Sequence, residues 1–134
     1  MNGILVDSSV ILDVFEADPS WADWSERMLQ EYSLVSPLYI NPIIYSEVSI
    51  GFLKIEEVEA AVTGCGFQVL PIPKEALFLA GKAFVHYRRK EGNKTSPLPD
   101  FYIGAHAAIS GFKLMTRDVS RIKSYFPRVE LIYP

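Results

Sequence analysis

The feature that most constrains this chain is a junction near its start. A short apolar run, residues 3–6, stops abruptly at Asp7-Ser8-Ser9, and Val10, Ile11, Val14 and Phe15 then recur at helical spacing. So short an apolar run suits a strand buried on both faces, and the period that follows demands an amphipathic helix. Ser8 or Ser9 can cap that helix by accepting from its free backbone N–H groups. Strand-then-helix at the outset predicts a layered α/β arrangement, and the rest of the chain repeats the pattern.

Asp18-Pro19 ends the first helix and opens a second, with Asp18 as cap, Pro19 at the first helical position, and Trp21, Trp24, Met28 and Leu29 as the buried stripe. Residues 34–36 read as a short strand, and Pro42 opens a helix through residue 52. A helix over 55–63 is terminated by Gly64 and Gly66, a strand covers 67–72, and a long helix runs over 73–90. Residues 91–99 (EGNKTSPLP) are a loop rich in breakers. A helix over 100–110 ends at Gly111, followed by a strand over 113–116, a short helix over 119–125 and a closing strand over 130–133. The expectation is one α/β domain spanning residues 1–134, with a central parallel sheet of about five short strands and helices on both faces.

Composition agrees. With 134 residues, 49% of them hydrophobic and 22% charged, the chain can bury a core as one domain and does not read as disordered. No apolar run approaches a membrane span, and the first residues lack the basic head and cleavage site of a secretory leader. A single cysteine, Cys65, makes neither an internal disulfide nor a thiolate metal cluster, so the expected setting is cytoplasmic, with no membrane partner. The net charge of −3 hides an asymmetry: residues 1–81 carry three basic and twelve acidic side chains, a sum of −9, and residues 82–134 carry ten basic and four acidic, a sum of +6. A partner feels the local field, although halves of a sequence need not be halves of a surface.

Four carboxylates stand out by position. Asp7 follows the first strand directly, and Asp118 lies two residues beyond Thr116, at the end of the strand over 113–116. Ligands of open parallel sheets bind outside the carboxyl ends of the strands, where strand order reverses. Glu47 sits mid-helix among Ile43, Ile44, Val48 and Ile50, and Asp100 begins a helix whose next turns offer Gly104, Ala107 and Ala108 for close packing. Each has an ordinary explanation, as a helix cap for Asp7 and Asp100, a solvent-facing stripe for Glu47, and a turn for Asp118. Together those explanations weaken, because crowded carboxylates repel one another and a hard cation relieves the repulsion. Oxygen donors favour Mg²⁺ or Mn²⁺ over zinc. His86 and His106 fall on different helices without ligand spacing and serve packing or surface roles.

With VDSSVILDV, then Glu47 within PIIYSEVSIGF, then PDFYIGAHAAISGFKLMTRD, the chain resembles the PIN-domain family, most closely the VapC-type toxins of toxin–antitoxin pairs. In that pattern an Asp ends the first strand and a Glu follows mid-helix. A third acid opens a D-x-x-I-x-A-x-A helix, and T-x-D or T-x-N follows the fourth strand. Asp7, Glu47, Asp100 and Asp118 match in order, and Ser8, Ser9 and Thr116 match the flanking hydroxyls.

The resemblance implies a Mg²⁺- or Mn²⁺-dependent endoribonuclease. Asp7, Asp100 and Asp118 would be metal ligands, and Glu47 a ligand or the group that orients water. Ser8, Ser9 and Thr116 would fix carboxylate direction. It further implies a homodimer and a small antitoxin that plugs the pocket. Arg88, Arg89, Lys90, Lys94, Arg117 and Arg121 are the candidates for RNA phosphate contacts, against the alternative of a solvated, basic helix end. Two other readings remain within the fold: an RNA-processing nuclease that is not a toxin, and a catalytically silent binding module. Other α/β classes fit worse. The first strand is followed by neither the G-x-G-x-x-G of a dinucleotide enzyme nor the D-x-D of a haloacid-type phosphatase, and the acidic pair and late lysine of a phospho-receiver are missing.

Overall fold

The computed structural model describes residues 2–91 and 98–134. Five parallel strands, β1 (Ile4–Val6), β2 (Leu38–Ile40), β3 (Gln68–Val69), β4 (Lys113–Met115) and β5 (Leu131–Ile132), form one sheet in the order β3-β2-β1-β4-β5. Seven helices connect them among the described residues: α1 (Ser8–Phe15), α2 (Ala22–Ser33), α3 (Pro42–Ser49), α4 (Ile55–Gly64), α5 (Lys74–Glu91), α6 (Leu98–Ser110) and α7 (Ser120–Tyr125). The fold is the α/β class expected.

All three residues of β1 are buried. Successive side chains of a strand point to opposite faces, so both faces of the sheet are covered. Strand order runs outward from β1 through β2 to β3, then returns past β1 to β4 and β5. The reversal therefore falls between β1 and β4, the strands that deliver Asp7 and Asp118.

Several boundaries differ from the sequence reading, for local reasons. The strand expected at 34–36 lies instead at Leu38–Ile40. The earlier residues form a turn in which the Val35 and Ser36 amides donate to the Tyr32 carbonyl, leaving Leu34 and Val35 85% and 69% exposed. The strand begins only after Pro37, which has no N–H to give. Asp18 caps a turn rather than a helix: its carboxylate accepts from the Ser20 and Trp21 amides, so α2 starts at Ala22. In α2, Trp24, Met28 and Leu29 pack only half-buried against the core, and the fully buried residue is Ser25. Helix α3 stops at Ser49 rather than at residue 52, and β3 is two residues long where the apolar run 67–72 promised more. Helix α6 starts at Leu98, two residues before Asp100, so Asp100 lies within its first turn rather than at its cap.

Gly104 sets the position of α7. A Cβ there would sit 2.4 Å from the Phe126 ring, so only glycine lets the end of α7 lie this close on α6. That contact brings the segment after β4 over the first turn of α6, where the acids meet.

Candidate metal and nucleic-acid site

Asp7 is held at both ends. Its backbone amide donates to the Met115 carbonyl at 2.9 Å, tying the tip of β1 to the tip of β4. Its side chain caps α1: Oδ1 accepts from the Ser8 amide at 2.9 Å, while Oδ2 accepts from Ser9 Oγ at 2.9 Å and Thr116 Oγ1 at 2.8 Å. Thr116 Oγ1 also accepts from the Asp118 amide at 3.1 Å, so one hydroxyl connects two of the acids.

Glu47 projects from α3, half-buried, and its Oε1 accepts from Ser8 Oγ at 2.9 Å. Asp100 stands in the first turn of α6, where the helix dipole favours a negative charge. Its Oδ2 accepts from Arg121 Nη1. Asp118 is exposed at the mouth. Asp7, Asp100, Thr116, Asp118 and Arg121, with Ile103, Leu114 and Ile122, line a cavity of about 20 Å³, room for a water or a small ion.

Burial dominates the electrostatics of the acids, and their mutual repulsion adds to it. Burial pushes the Asp7 carboxyl up from its ordinary value and the charge on Asp118 adds to that, against hydrogen bonds from Thr116, Ser9 and Ser8 that pull it down. Burial raises Glu47 as well, helped by Asp7 and Asp100, with the Ser8 hydroxyl opposing. Asp100 is raised by burial, then by Asp7 and Asp118, although Arg121 beside it pulls the other way. Three neighbouring carboxyls thus resist ionisation, Asp100 despite the guanidinium beside it.

The donor set, carboxylates and hydroxyls only, has the chemistry of a hard divalent cation site. As the side chains stand, no three acid, histidine or cysteine groups among the described residues converge as ligands. Asp100 is turned onto Arg121 and Glu47 onto Ser8.

The residues expected to touch RNA divide into three groups. Arg88, Arg89 and Lys90 are exposed in the last turn of α5, with the Arg88 guanidinium 5.9 Å from the Phe84 ring centre. Lys94 lies outside the described residues. Arg117 and Arg121 are both engaged with carboxylates. Arg117 grips Asp13 through Nε at 2.6 Å and Nη2 at 2.8 Å, and its guanidinium lies 5.3 Å from the Trp21 ring centre. Ser25 Oγ donates to the same carboxylate at 2.8 Å, and Asp13 is 3% exposed.

Sequence reasoning missed this second cluster. A signal was present: in VILDVF, Asp13 stands three residues after buried Val10, on the inward side of α1. A carboxylate there needs a cation. It also missed Asn41, which caps α3 by accepting from the Ile44 amide at 2.9 Å, while its Nδ2 faces His106 Nδ1 at 3.1 Å. With Asn41 as donor, His106 carries its proton on Nε2 and is neutral, and burial lowers its pKa accordingly. This buried pair joins the helix bearing Glu47 to the helix bearing Asp100.

Fold and pocket together define an α/β protein with an acidic, oxygen-lined site at the switch point of a parallel sheet. The PIN-domain pattern matches residues 4–125, and the chain belongs to the PIN-domain family. Among curated protein sequences none matches it. Solved structures of the same fold include VapBC2 from Rickettsia felis bound to a promoter DNA fragment, 15% identical over 97% of both chains, TM-score 0.73. FitAcB from Neisseria gonorrhoeae is 20% identical over 96% of both chains, TM-score 0.71. VapC20 from Mycobacterium tuberculosis, a sarcin–ricin loop cleaving toxin, is 12% identical over 90% of this chain and 94% of that one, TM-score 0.64. The likeness to the toxin partners of these complexes is one of fold. No helix among the described residues is long and apolar enough to cross a membrane.

Proposed function

We propose that this PIN domain is a metal-dependent endoribonuclease and the toxin of a toxin–antitoxin pair. The observation that carries the reading is the meeting of Asp7, Glu47, Asp100 and Asp118 around one switch point, with Asp7, Glu47 and Asp100 all raised in pKa. A structural acid would be paired or solvated, whereas Asp7 and Glu47 are held by neutral hydroxyls, as metal ligands are.

Asp7, Asp100 and Asp118 would hold Mg²⁺ or Mn²⁺, with Glu47 beside them. When bound, such an ion lowers the pKa of a coordinated water and neutralises charge on the attacked phosphate. Ser9 and Thr116 fix the direction of the Asp7 carboxylate, and Ser8 does the same for Glu47. Glu47, with its carboxyl raised, is suited to take the proton of the attacking water. Arg88, Arg89 and Lys90 supply positive charge for RNA phosphates outside a pocket that repels them. The toxin assignment draws support from the fold shared with toxin–antitoxin complexes, one neighbour being described as a loop-cleaving toxin. A homodimer and a small antitoxin partner are part of the same proposal.

The test is cleavage of RNA by the purified chain with Mg²⁺ or Mn²⁺, with chelator, and with each acid replaced. Chelation should stop cleavage, and Asp7→Asn should reduce it on the order of 10³-fold or more. Persistent cleavage by an Asp7→Asn/Asp100→Asn protein freed of host nucleases would falsify the assignment.

A further inference from the structure

Arg121 is the only cationic side chain among the described residues lining the acidic cavity, and it is engaged with one of the acids. It lies in α7, directly before buried Ile122, and its Nη1 donates to Asp100 Oδ2. The guanidinium also lies 5.5 Å from the ring centre of Tyr87, which is 6% exposed and packed against Phe101 and Tyr125. Arg121 therefore rests on an aromatic shelf supplied by α5 while it reaches the first turn of α6.

This differs from the other arginine of the same segment. Arg117 makes two hydrogen bonds to Asp13, a carboxylate outside the cavity lining, and a hydroxyl from Ser25 completes that cluster. Arg121 makes one hydrogen bond, to a carboxylate that faces the cavity. A divalent ion on the Asp100 carboxylate would lie beside the Arg121 guanidinium that already neutralises it, and two like charges in so small a space oppose each other.

We propose that Arg121 is an exchangeable counter-cation of the acidic pocket: it neutralises Asp100 when the pocket is empty, and a divalent ion binds by displacing it. The inference rests on reading the pocket as a metal site and adds the residue that sets its affinity. Displaced from Asp100, the guanidinium still lies over Tyr87 at the cavity wall, as a donor for a phosphate brought to the same ion.

The experiment is Mn²⁺ binding to the full chain without RNA, by titration calorimetry and by the resonance signal of free Mn²⁺, at constant pH and ionic strength. Removing the competing charge in Arg121→Gln should tighten Mn²⁺ binding on the order of tenfold. The apo variant should melt below the wild type yet gain more from saturating Mn²⁺. Arg121→Lys keeps the charge and much of the stem over Tyr87 but loses the planar fork, so its affinity should lie between the two. Wild-type binding with an unchanged or weaker affinity in Arg121→Gln would overturn the counter-cation role and leave the metal site intact. Weaker binding by Arg121→Lys than by wild type would overturn it equally, even if the glutamine variant did not fold. Absence of Mn²⁺ binding by wild type and both variants would overturn this inference and the metal reading together.

Discussion

Asp7 and Asp13 belong to the same short helix, one as its cap and the other on its inward side, and they meet opposite fates. Asp13 has a full countercharge, with two hydrogen bonds from Arg117 and a third from Ser25. Asp7 has as many hydrogen bonds, but all come from neutral groups, the Ser8 amide and the Ser9 and Thr116 hydroxyls. Satisfying the lone pairs of a buried carboxylate is not the same as balancing its charge. Asp13 is balanced in charge within the fold, whereas Asp7 is held by neutral donors alone among the described residues. Because Arg117 sits between Thr116 and Asp118, the balanced pair also anchors the loop that reaches the unbalanced carboxylate.

The sharpest way to break this comparison is to remove each carboxylate in turn and measure stability by urea unfolding of the apo protein. Asp13→Ala should lose about 3 kcal/mol, since it strands a largely buried guanidinium. Asp7→Asn should leave stability unchanged or raise it, because Asn caps a helix as well as Asp and carries no charge to desolvate. Equal losses in the two variants would mean that Asp7 is as structural as Asp13.

Acidity sharpens the contrast next. Asp7, Glu47 and Asp100 keep their protons to higher pH in the fold than in the unfolded chain, where carboxyls titrate near 3.8 to 4.5. Their contribution to stability is thus complete below those unfolded values and is lost as pH rises through the folded ones. Melting curves of the apo protein from about pH 4 to about pH 8 should show this falling component, and Asp7→Asn should reduce it. Added Mg²⁺ should restore stability most at the upper end, because only the native site binds it. A Mg²⁺ effect independent of pH would argue against raised acids at the site. His106 works in the other sense: its lowered folded value gives stability that is present above its unfolded pKa and lost as pH falls.

The smallest expected effect lies outside both clusters. In an Asp7→Asn background, Arg88→Glu with Arg89→Glu should weaken RNA binding across sequences. For every RNA phosphate that the variant no longer neutralises, the log–log salt slope should fall by roughly 0.7. An unchanged affinity and slope would return this helix end to ordinary solvated surface.

The chain itself marks Asp7, Glu47, Asp100 and Asp118 because local rules govern their positions. An apolar run followed by a cap locates Asp7, and the small residues after Asp100 locate a tightly packed helix. Leu34 and Val35 show the limit of such rules. They have the composition of a strand, yet the parallel pairing of β1 falls on Leu38 and Tyr39, so they lie exposed in a turn. The charge asymmetry also changes meaning in the fold, since the basic later part supplies two acids of the pocket and the arginines that engage Asp13 and Asp100.

What the sequence determined alone was the alternation of strand and helix, and the strand ends and helix turns on which the acids stand. Tertiary structure decided the partners. Arg117 and Arg121, equivalent in the sequence as candidate phosphate contacts, are separated by their pairing with Asp13, 104 residues away, and Asp100, 21 residues away. Periodicity is written in neighbouring residues, but which charge is buried beside which depends on the return of the chain past β1 and on the close seat of α7 at Gly104.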